Sequence, residues 1–268
     1  MTLVMGVLNV TPDSFSDGGR WAGTEAAVRH AIDLRDEGAD LIDVGGESTR
    51  PGAGRVSPQA EQDRVLPVIT ELTRLGIMTS VDTLNARTAE RSADAGVDII
   101  NDVSGGLADP GMAEVVARTG LPYIAMHWRG HAGTMDSLST YDDVVATVVA
   151  ELTERVAALE KAGVQRSQII LDPGLGFSKD AGQNWRVFAR LDAFTPLGLP
   201  VMVGASRKRF LAGVLPDDAA IVDRDLPTAV LSVLAAQAGA WAVRVHDVAG
   251  TRTALNVLAR VDSARIGS

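Results

Sequence analysis

Cysteine is absent from the 268-residue sequence, which excludes disulfide bonds and thiolate metal sites. Long apolar runs are absent too: none approaches the roughly 18 residues that a membrane-spanning helix requires. The first ten residues, MTLVMGVLNV, have no basic segment before their apolar run and no small-residue cleavage site, so they predict a strand and not a signal peptide. We therefore expect a cytoplasmic protein that contacts no membrane.

Basic residues are fewer than acidic ones: the chain has 25 Lys and Arg residues and 34 Asp and Glu residues, which gives a formal net charge of −9 at pH 7. Nonspecific binding to nucleic acid needs a basic face, so we expect no nucleic-acid partner. A hydrophobic content of 46% is ordinary for a globular protein with a sizeable core. No low-complexity tract or long Pro/Gly/Ser linker divides the chain, and we predict a single domain over residues 1–268.

One pattern recurs eight times: a short apolar run, a polar or glycine-rich stretch, and then a helix-like segment. Strands that alternate with helices imply a parallel sheet, and eight such units in a chain of about 250 residues predict a (β/α)8 barrel, the TIM-barrel fold. A doubly wound open sheet is the alternative, but no G-x-G-x-x-G follows the first strand. The predicted strands are 4–8, 41–44, 78–81, 98–100, 123–126, 169–171, 201–203 and 242–245.

Polar residues follow every predicted strand, where helix capping alone accounts for a few of them. The carboxyl ends of the strands of a barrel meet at the end where such folds keep their active sites, so we expect these groups to form one site. They are Asn9, GGESTRPG (45–52), Asp82-Thr83, Asn101-Asp102, His127-Trp128-Arg129, Asp172-Pro173-Gly174, GASRKRF (204–210) and RVHDV (244–248).

Basic residues concentrate after the last two strands, although the chain as a whole is acidic. Arg207, Lys208, Arg209, Arg244 and His246 stand there. Arginine forks and lysine charge recognise phosphate, so the cluster predicts an anionic ligand. For any single member, an ion pair with a carboxylate at the barrel rim is the open alternative.

Asp82, Asn101 and Asp172 follow three other strands. A carboxylate at a strand end suits a metal ligand, a general base or a bidentate partner for a heterocycle rich in N–H groups. Two carboxylates and an amide without a nearby histidine pair favour the heterocycle, such as a 2-amino-4-oxo-pyrimidine edge. For Asp172 alone, a turn before Pro173-Gly174 is the alternative.

The motifs GVLNVTPDSFSDGG, DVGGESTRPGA, SVDT, NDVSGG, MH, DPGLGF, GASRKRF and RVHDV occur in this order between residues 4 and 248. Together they resemble the dihydropteroate synthase family of folate biosynthesis. The resemblance implies a (β/α)8 barrel that condenses 6-hydroxymethyl-7,8-dihydropterin diphosphate with 4-aminobenzoate and releases diphosphate. It also implies a homodimer and small-molecule substrates.

The resemblance further assigns residues to three subsites. For the pterin it implies Asp82, Asn101, Asp172, Lys208, Phe177 and Gly204. For the diphosphate it implies Arg244, His246 and Asn9, with Asn9 as a ligand of Mg²⁺. For the aminobenzoate it implies the first two loops, with Asp13, Phe15 and Asp17, then Thr49, Arg50 and Pro51, and the Phe177 ring. Arg209 stands where many members have a serine near the aminobenzoate carboxylate.

The implied catalytic residues are Asp17, Asn9, Lys208, Arg244 and His246. Mg²⁺, Arg244 and His246 neutralise the departing diphosphate, and Asp17 stabilises a pterin methylene cation that the aromatic amine attacks. Two alternatives share the pterin pocket: a methyltransferase barrel that holds methyltetrahydrofolate beside a corrinoid, and a non-catalytic pterin-binding paralogue. The methyltransferase barrel has no use for the basic diphosphate site, and the intact first loop counts against the paralogue, since a binder has no need of groups that handle Mg²⁺.

Overall fold

The structure, a computed structural model, describes residues 1–11, 19–47, 56–131 and 133–266. The strands are β1 (Leu3–Asn9), β2 (Leu41–Gly45), β3 (Thr79–Asp82), β4 (Ile99–Asp102), β5 (Tyr123–Met126), β6 (Ile169–Asp172), β7 (Met202–Val203) and β8 (Ala242–Val245). The helices that alternate with them are α1 (Gly19–Asp36), α2 (Pro58–Arg74), α3 (Ala86–Asp94), α4 (Met112–Thr119), α5 (Val144–Lys161), α6 (Ala181–Ala189), α7 (Asp225–Gln237) and α8 (Val248–Ile266).

The strands are parallel and follow the order β6-β5-β4-β3-β2-β1-β8-β7. A single bridge between Leu171 and Val201 joins the two edge strands, with the Leu171 N–H donating to Pro200 O at 2.8 Å. The sheet therefore closes on itself, and the predicted (β/α)8 barrel is confirmed.

Helix ends follow local chemistry that the sequence shows. Gly38 and Gly163 have φ of +108° and +97°, the left-handed region that glycine adopts at low cost, and they lie just after α1 and α5. The start of α5 is capped by the Asp143 carboxylate, which accepts from Val145 N at 2.9 Å and from Ala146 N at 3.1 Å. The helices thus return the chain to the amino end of the barrel for each new strand.

Alternate residues of each strand face the barrel interior and form two layers there. The lower layer is apolar and consists of Met5, Leu41, Ile99, Ile124, Ile170, Met202 and Ala242. The upper layer stands two residues further along the same strands and contains Asp43, Asn101, Met126, Asp172, Gly204 and Arg244. The other strand face packs in a larger apolar core with residues of the helices, among them Ile42, Val81, Leu72 and Leu152.

Among the described residues, no helix combines the length and the apolar composition needed to cross a membrane. The cytoplasmic location expected from the sequence stays a prediction.

Candidate active site

An ion-pair network occupies the upper layer of the barrel. Arg244 on β8 donates from Nε to Asp43 Oδ2 at 2.6 Å and from Nη2 to Asp82 Oδ2 at 2.9 Å. Asp43 on β2 is 0% exposed and also accepts from Ser80 Oγ at 2.5 Å and from Asn101 Nδ2 at 3.1 Å. Three of the predicted site residues therefore belong to one network, in which Asp43 contacts Arg244 and Asn101, and Arg244 contacts Asp82. The sequence analysis did not single out Asp43.

The electrostatics of this network follow from burial. Burial raises the pKa of Asp82 to about 7, although the Arg244 charge opposes the rise and the Asp43 charge adds to it. For Arg244, burial lowers the pKa, but Asp43 and Asp82 outweigh it and the pKa lies above the usual value. The guanidinium therefore stays charged, and its Nη1 atom donates to no described residue, which leaves it for a ligand.

Asp172 ends β6 with one carboxylate oxygen occupied and the other open. Its Oδ1 accepts from Gly174 N at 2.7 Å. Gly174 has φ +69°, and a Cβ there would lie 2.3 Å from His127 O, so only glycine fits. On the other side, a Cβ at Gly204 would lie 3.5 Å from Asp172 Oδ2, so the bare glycine keeps the approach to that oxygen clear. Burial raises the pKa of Asp172, opposed first by the Gly174 N–H and then by the Lys208 charge.

Lys208 lies across the loop that follows β6. Its Nζ is 4.0 Å from the centroid of the Phe177 ring, a cation–π contact. Gly176 permits this crossing, because a Cβ at that position would lie 2.6 Å from Lys208 Cδ. Burial, assisted by the nearby Arg244 charge, lowers the pKa of Lys208 to about 8.

These side chains surround a cavity that opens to solvent. Its walls offer acceptors at Asn101 Oδ1 and Asp172 Oδ2, because the other polar atom of each side chain is already bound. Lys208 Nζ and Arg244 Nη1 are donors, and the remaining lining is largely apolar. Such a cavity suits a flat heterocycle that has several N–H groups and one carbonyl. The lining residues are Asn101, Val103, Met126, Asp172, Phe177, Met202, Gly204, Ser206, Lys208 and Arg244.

The predicted anion-binding groups separate into two kinds. His246 contacts Ser206, which lines the cavity: its Nδ1 lies 2.9 Å from Ser206 Oγ, and its backbone N–H donates to the same oxygen at 3.1 Å. Arg207 instead forms a bidentate ion pair with Asp225, with both hydrogen bonds at 2.7 Å. The alternative left open for single members of the basic cluster, an ion pair with a carboxylate, therefore holds for Arg207. Arg209 is exposed at the start of a short 3₁₀ helix.

Asn9 ends β1 beside the ion-pair network. A Cβ placed on Gly45 would lie 3.9 Å from Asn9 Oδ1 and 3.8 Å from Asp82 Oδ2, so Gly45 lies next to both side chains. The described residues contain no group of three or more His, Asp or Glu residues that suits a metal ion. Asn9 offers one amide oxygen, which fits a Mg²⁺ ion that takes most of its ligands from phosphate and water.

The predicted aminobenzoate site is described only in part. Phe177 is buried and lines the cavity, and Arg209 is placed as above. The other residues that the resemblance assigned to the first two loops lie outside the described residues: Asp13, Phe15, Asp17, Thr49, Arg50 and Pro51.

Asp43 was missed because it lies inside a run that the sequence analysis treated as uniformly apolar, LIDVG. The signal that identifies it is the period of two along a strand, since Leu41, Asp43 and Gly45 share the face toward the barrel interior. The same spacing relates Ile99 to Asn101, and Ile170 to Asp172. Ser206 was quoted within GASRKRF, but its contact with His246 needed the structure.

Known proteins match this chain over nearly its whole length. A family described as "Pterin binding enzyme" matches residues 5–246. The dihydropteroate synthase of Mycobacterium leprae (strain TN) is 46% identical over 260 residues, which cover 95% of this chain and 92% of the relative. The solved Xanthomonas albilineans dihydropteroate synthase with 4-aminobenzoic acid superposes with a TM-score of 0.90 at 43% identity, covering 97% of this chain and 93% of that one. Its complex with 7,8-dihydropteroate gives a TM-score of 0.87 at 40% identity, covering 97% and 94%.

Proposed function

The chain belongs to the pterin-binding enzyme family, as a dihydropteroate synthase, and we propose that it joins 6-hydroxymethyl-7,8-dihydropterin diphosphate to 4-aminobenzoate. The observation that carries this proposal is the pattern of donors and acceptors in the cavity. Asn101 Oδ1 and Asp172 Oδ2 accept, and Lys208 Nζ donates, across a space lined by Phe177 and Met126. The complexes of the Xanthomonas albilineans enzyme with 4-aminobenzoic acid and 7,8-dihydropteroate support the same substrates.

The pterin ring fits this cavity by its hydrogen-bonding edge. Its 2-amino group and adjacent ring N–H donate to the Asp172 carboxylate, Asn101 accepts a further N–H, and Lys208 donates to the 4-oxo oxygen. Each of these protein groups is fixed before the ligand arrives, by Gly174 N, by Asp43 and by the Phe177 ring respectively. Preorganised partners bind tightly because little side-chain freedom is lost on binding.

The diphosphate then lies toward the mouth of the barrel, near the last strand. Arg244 Nη1 and His246 are the groups that meet its negative charge, and Asn9 is the residue that would hold a Mg²⁺ ion beside it. When bound, that ion supplies positive charge that makes diphosphate a better leaving group. Asp82 stays paired with Arg244 and orients the guanidinium toward the anion.

The reaction breaks the bond between the pterin methylene carbon and a diphosphate oxygen, and forms a bond from that carbon to the amino nitrogen of 4-aminobenzoate. The electron pair leaves with diphosphate, and the amine releases a proton after the new bond forms. No strong base is required, because an aromatic amine is already a free nucleophile at neutral pH. The chain's task is electrostatic: carboxylates near the methylene stabilise its developing positive charge, and Asp17 is the candidate.

Calorimetry and product analysis test this function. We expect the pterin diphosphate to raise the melting temperature more with Mg²⁺ than without it, and we expect addition of 4-aminobenzoate to yield dihydropteroate and diphosphate. A pterin-binding methyltransferase barrel would bind methyltetrahydrofolate and ignore the diphosphate. A non-catalytic binder would shift the melting temperature and form no product, and either result would contradict the proposal.

The role of Asp17 has its own kinetic test. Asp17→Asn keeps the size of the side chain and removes its charge, so we expect kcat to fall by roughly tenfold to a thousandfold while pterin diphosphate affinity changes little. A kcat within about twofold of the unmodified enzyme would mean that Asp17 is not a catalytic charge.

We also propose a homodimer that uses an apolar face on α7 and α8, which pack against each other. Leu226, Val230 and Leu234 lie four residues apart on α7 and are 74%, 53% and 46% exposed, and Val257 and Val261 on α8 extend the face. Exposed apolar patches of this kind mark interaction surfaces, and a two-fold axis would pair the patch with itself. Light scattering on Leu226→Lys and on an exposed control, Leu107→Lys, tests this. A Leu226→Lys protein that remains dimeric would overturn the proposal.

A further inference from the structure

Lysine is rare in this chain, which has 3 lysines among its 25 basic residues. Lys161 is exposed at the end of α5, and Lys208 lines the cavity. Lys179 is 6% exposed, lies between β6 and α6, and has no part in the binding scheme above. A buried cation in a protein that otherwise uses arginine requires a local reason.

The ammonium of Lys179 meets three acceptors. Its Nζ lies 2.9 Å from His127 Nδ1, 3.0 Å from Gly174 O and 3.2 Å from Phe177 O. A lysine ammonium has three protons and no acceptor, so all its hydrogen-bonding capacity is used. Arginine, with its planar fork, cannot reproduce this compact arrangement. Lys179 thus connects the end of β5 to both ends of the turn that carries Phe177.

The imidazole of His127 is itself held in one tautomer. Because Nδ1 accepts from Lys179, the proton resides on Nε2, which is 2.8 Å from Glu151 Oε2 on α5. Arg129 holds Glu151 in turn through contacts from Nε and Nη2 to Glu151 Oε1 at 3.1 Å and 2.5 Å. Burial, assisted by the Lys179 charge, lowers the pKa of His127 to about 4, so the ring is neutral and can accept.

The segment that Lys179 holds has an unfavourable backbone. Gly174 and Gly176 have positive φ, as does Ser178, a non-glycine residue at φ +46°. Ser178 Oγ is buried and has no hydrogen-bond partner within the part of the chain that the structure describes. Such a conformation persists only when surrounding contacts impose it. On one side of the turn, Lys179 Nζ holds this conformation by donating hydrogen bonds to the carbonyls of Gly174 and Phe177. On the other side, Asn184 Oδ1 holds it by accepting from Gly176 N at 2.7 Å.

We propose that Lys179 is a positioning residue for the reaction: its ammonium holds the turn from Gly174 to Phe177 so that the Phe177 ring supports Lys208 at the cavity wall. The loss of Lys179 therefore acts on the pterin through two other side chains, and not through contact with the ligand. The effect on pterin affinity rests on the proposed function, whereas the effect on the turn does not.

The test compares Lys179→Met with Lys161→Met, the same change at an exposed lysine. Methionine keeps the length and apolar stem of lysine and removes the three hydrogen bonds. We expect Lys179→Met to weaken calorimetric binding of 6-hydroxymethyl-7,8-dihydropterin diphosphate by about tenfold or more, with kcat at saturation within about threefold. Lys161→Met is expected to match the unmodified protein. A core variant matched for loss of melting temperature, such as Ile69→Val, controls for simple destabilisation.

A ligand-free measurement follows the turn directly. With three lysines, ¹³C labelling of the lysine ε-carbons gives few signals, and Lys208 is recognised by the ring-current shift from Phe177. We expect that shift to disappear in Lys179→Met and to persist in Lys161→Met and Ile69→Val. In the unmodified protein we expect slow exchange of the Lys179 ammonium protons, since all three are hydrogen bonded.

The outcomes separate the two ideas. Unchanged pterin affinity and an unchanged Lys208 shift in folded Lys179→Met would overturn the positioning role. If the unmodified protein itself fails to bind the pterin diphosphate, the proposed function fails, and the Lys208 shift still decides the positioning role. If Lys179→Met does not fold, the decision passes to the unmodified protein, where rapid ammonium exchange at Lys179 would overturn the proposal and slow exchange would support it.

Discussion

The two layers of the barrel interior are built on the same strands and have opposite chemistry. In the lower layer, side chains such as Leu41, Ile99 and Ile170 form a closed apolar cluster. Two residues further along, at the same spacing, stand Asp43, Asn101 and Asp172. A barrel of this size is normally filled by apolar side chains, so the upper layer departs from what stability alone favours.

The difference shows that the two layers serve separate ends. The lower layer contributes stability whether or not a ligand is present, because removing apolar surface from water is favourable by itself. In the upper layer, burial raises the pKa of Asp82 and of Asp172, so keeping them ionised costs free energy. A buried ion pair stabilises less than apolar residues of the same volume would. We therefore expect upper-layer changes to alter binding, and changes at lower-layer residues that do not line the cavity to alter stability alone.

Arg244→Ala is expected to have the largest effect of these variants, because this change in the upper layer reduces stability as well as binding. It leaves the carboxylates of Asp43 and Asp82 buried without their cation, so we predict a loss of unfolding free energy of about 3–5 kcal/mol. Urea denaturation measures it. Binding of the diphosphate ester is also expected to weaken more than binding of 6-hydroxymethylpterin, since only the ester carries the charge. A loss under about 1 kcal/mol, or equal losses for both ligands, would contradict these roles.

Asp172→Ala is expected to have the next largest effect, and it separates binding from stability within the upper layer. The pterin N–H donors lose their carboxylate, so we predict a binding loss of about 2–4 kcal/mol, roughly thirtyfold to a thousandfold in Kd. Because the ionised carboxylate is costly in its buried position, the melting temperature of the free protein is expected to stay level or rise. Calorimetric titration and thermal unfolding test the two parts separately. Unchanged affinity in a folded variant would remove Asp172 from the pterin site.

Ile124→Val is the matching change in the lower layer. It removes one buried methylene, so we predict a loss of about 0.5–1.5 kcal/mol in unfolding free energy. Ile124 is separated from the cavity by Met126 on the same face, and pterin affinity is expected to remain within about twofold. A large fall in affinity with little loss of stability would show that the layers are coupled.

Glu61→Gln extends the comparison to a buried carboxylate outside the barrel, between α2 and α3. Burial raises the pKa of Glu61 above its ordinary 4.5, although Thr88 and Asn85 each donate a hydrogen bond to it at 2.7 Å. Its favourable contribution is therefore complete below pH 4.5 and is lost as the pH rises through the folded-state pKa. Glutamine has no such dependence. Glu61→Gln is expected to gain roughly 2–4 °C in Tm over the unmodified protein between about pH 5 and pH 8. A pH-independent difference would contradict this.

The sequence predicted the barrel because its strands and glycine stops are local signals. The predicted segments 123–126 and 242–245 coincide with β5 and β8, and the others end within two residues of the observed strands. Five predicted strands, β1, β2, β3, β4 and β6, end one or two residues early, because the pattern of apolar runs places polar residues such as Asp82 and Asp172 after the strand. In the structure these residues are the last of their strands, held by the ladder and facing inward.

Motifs and strand ends predict which residues gather at the site, but they do not predict how those residues pair. Asn101, Asp172, Lys208 and Arg244 do converge on one cavity. What the sequence does not reveal is pairing across the barrel. Arg244 contacts Asp43 from 201 positions away in the chain. Arg207 pairs with Asp225 and not with a ligand. Such choices depend on which side chains the closed sheet brings within reach.

The closing seam of the barrel also passes through the proposed pterin site. β7 has two residues, and one bridge from Leu171 to Val201 joins it to β6, whereas β1 and β2 share a register of five residue pairs. Asp172 stands on one side of this seam, with Gly204 and Lys208 on the other. A pterin that binds both Asp172 and Lys208 would therefore link β6 to the segment after β7, where the sheet has the fewest strand-to-strand contacts. Bound substrate would then slow amide hydrogen exchange at Leu171 more than in the β1–β2 ladder. The substrate would in this way stabilise the closure of the barrel that binds it.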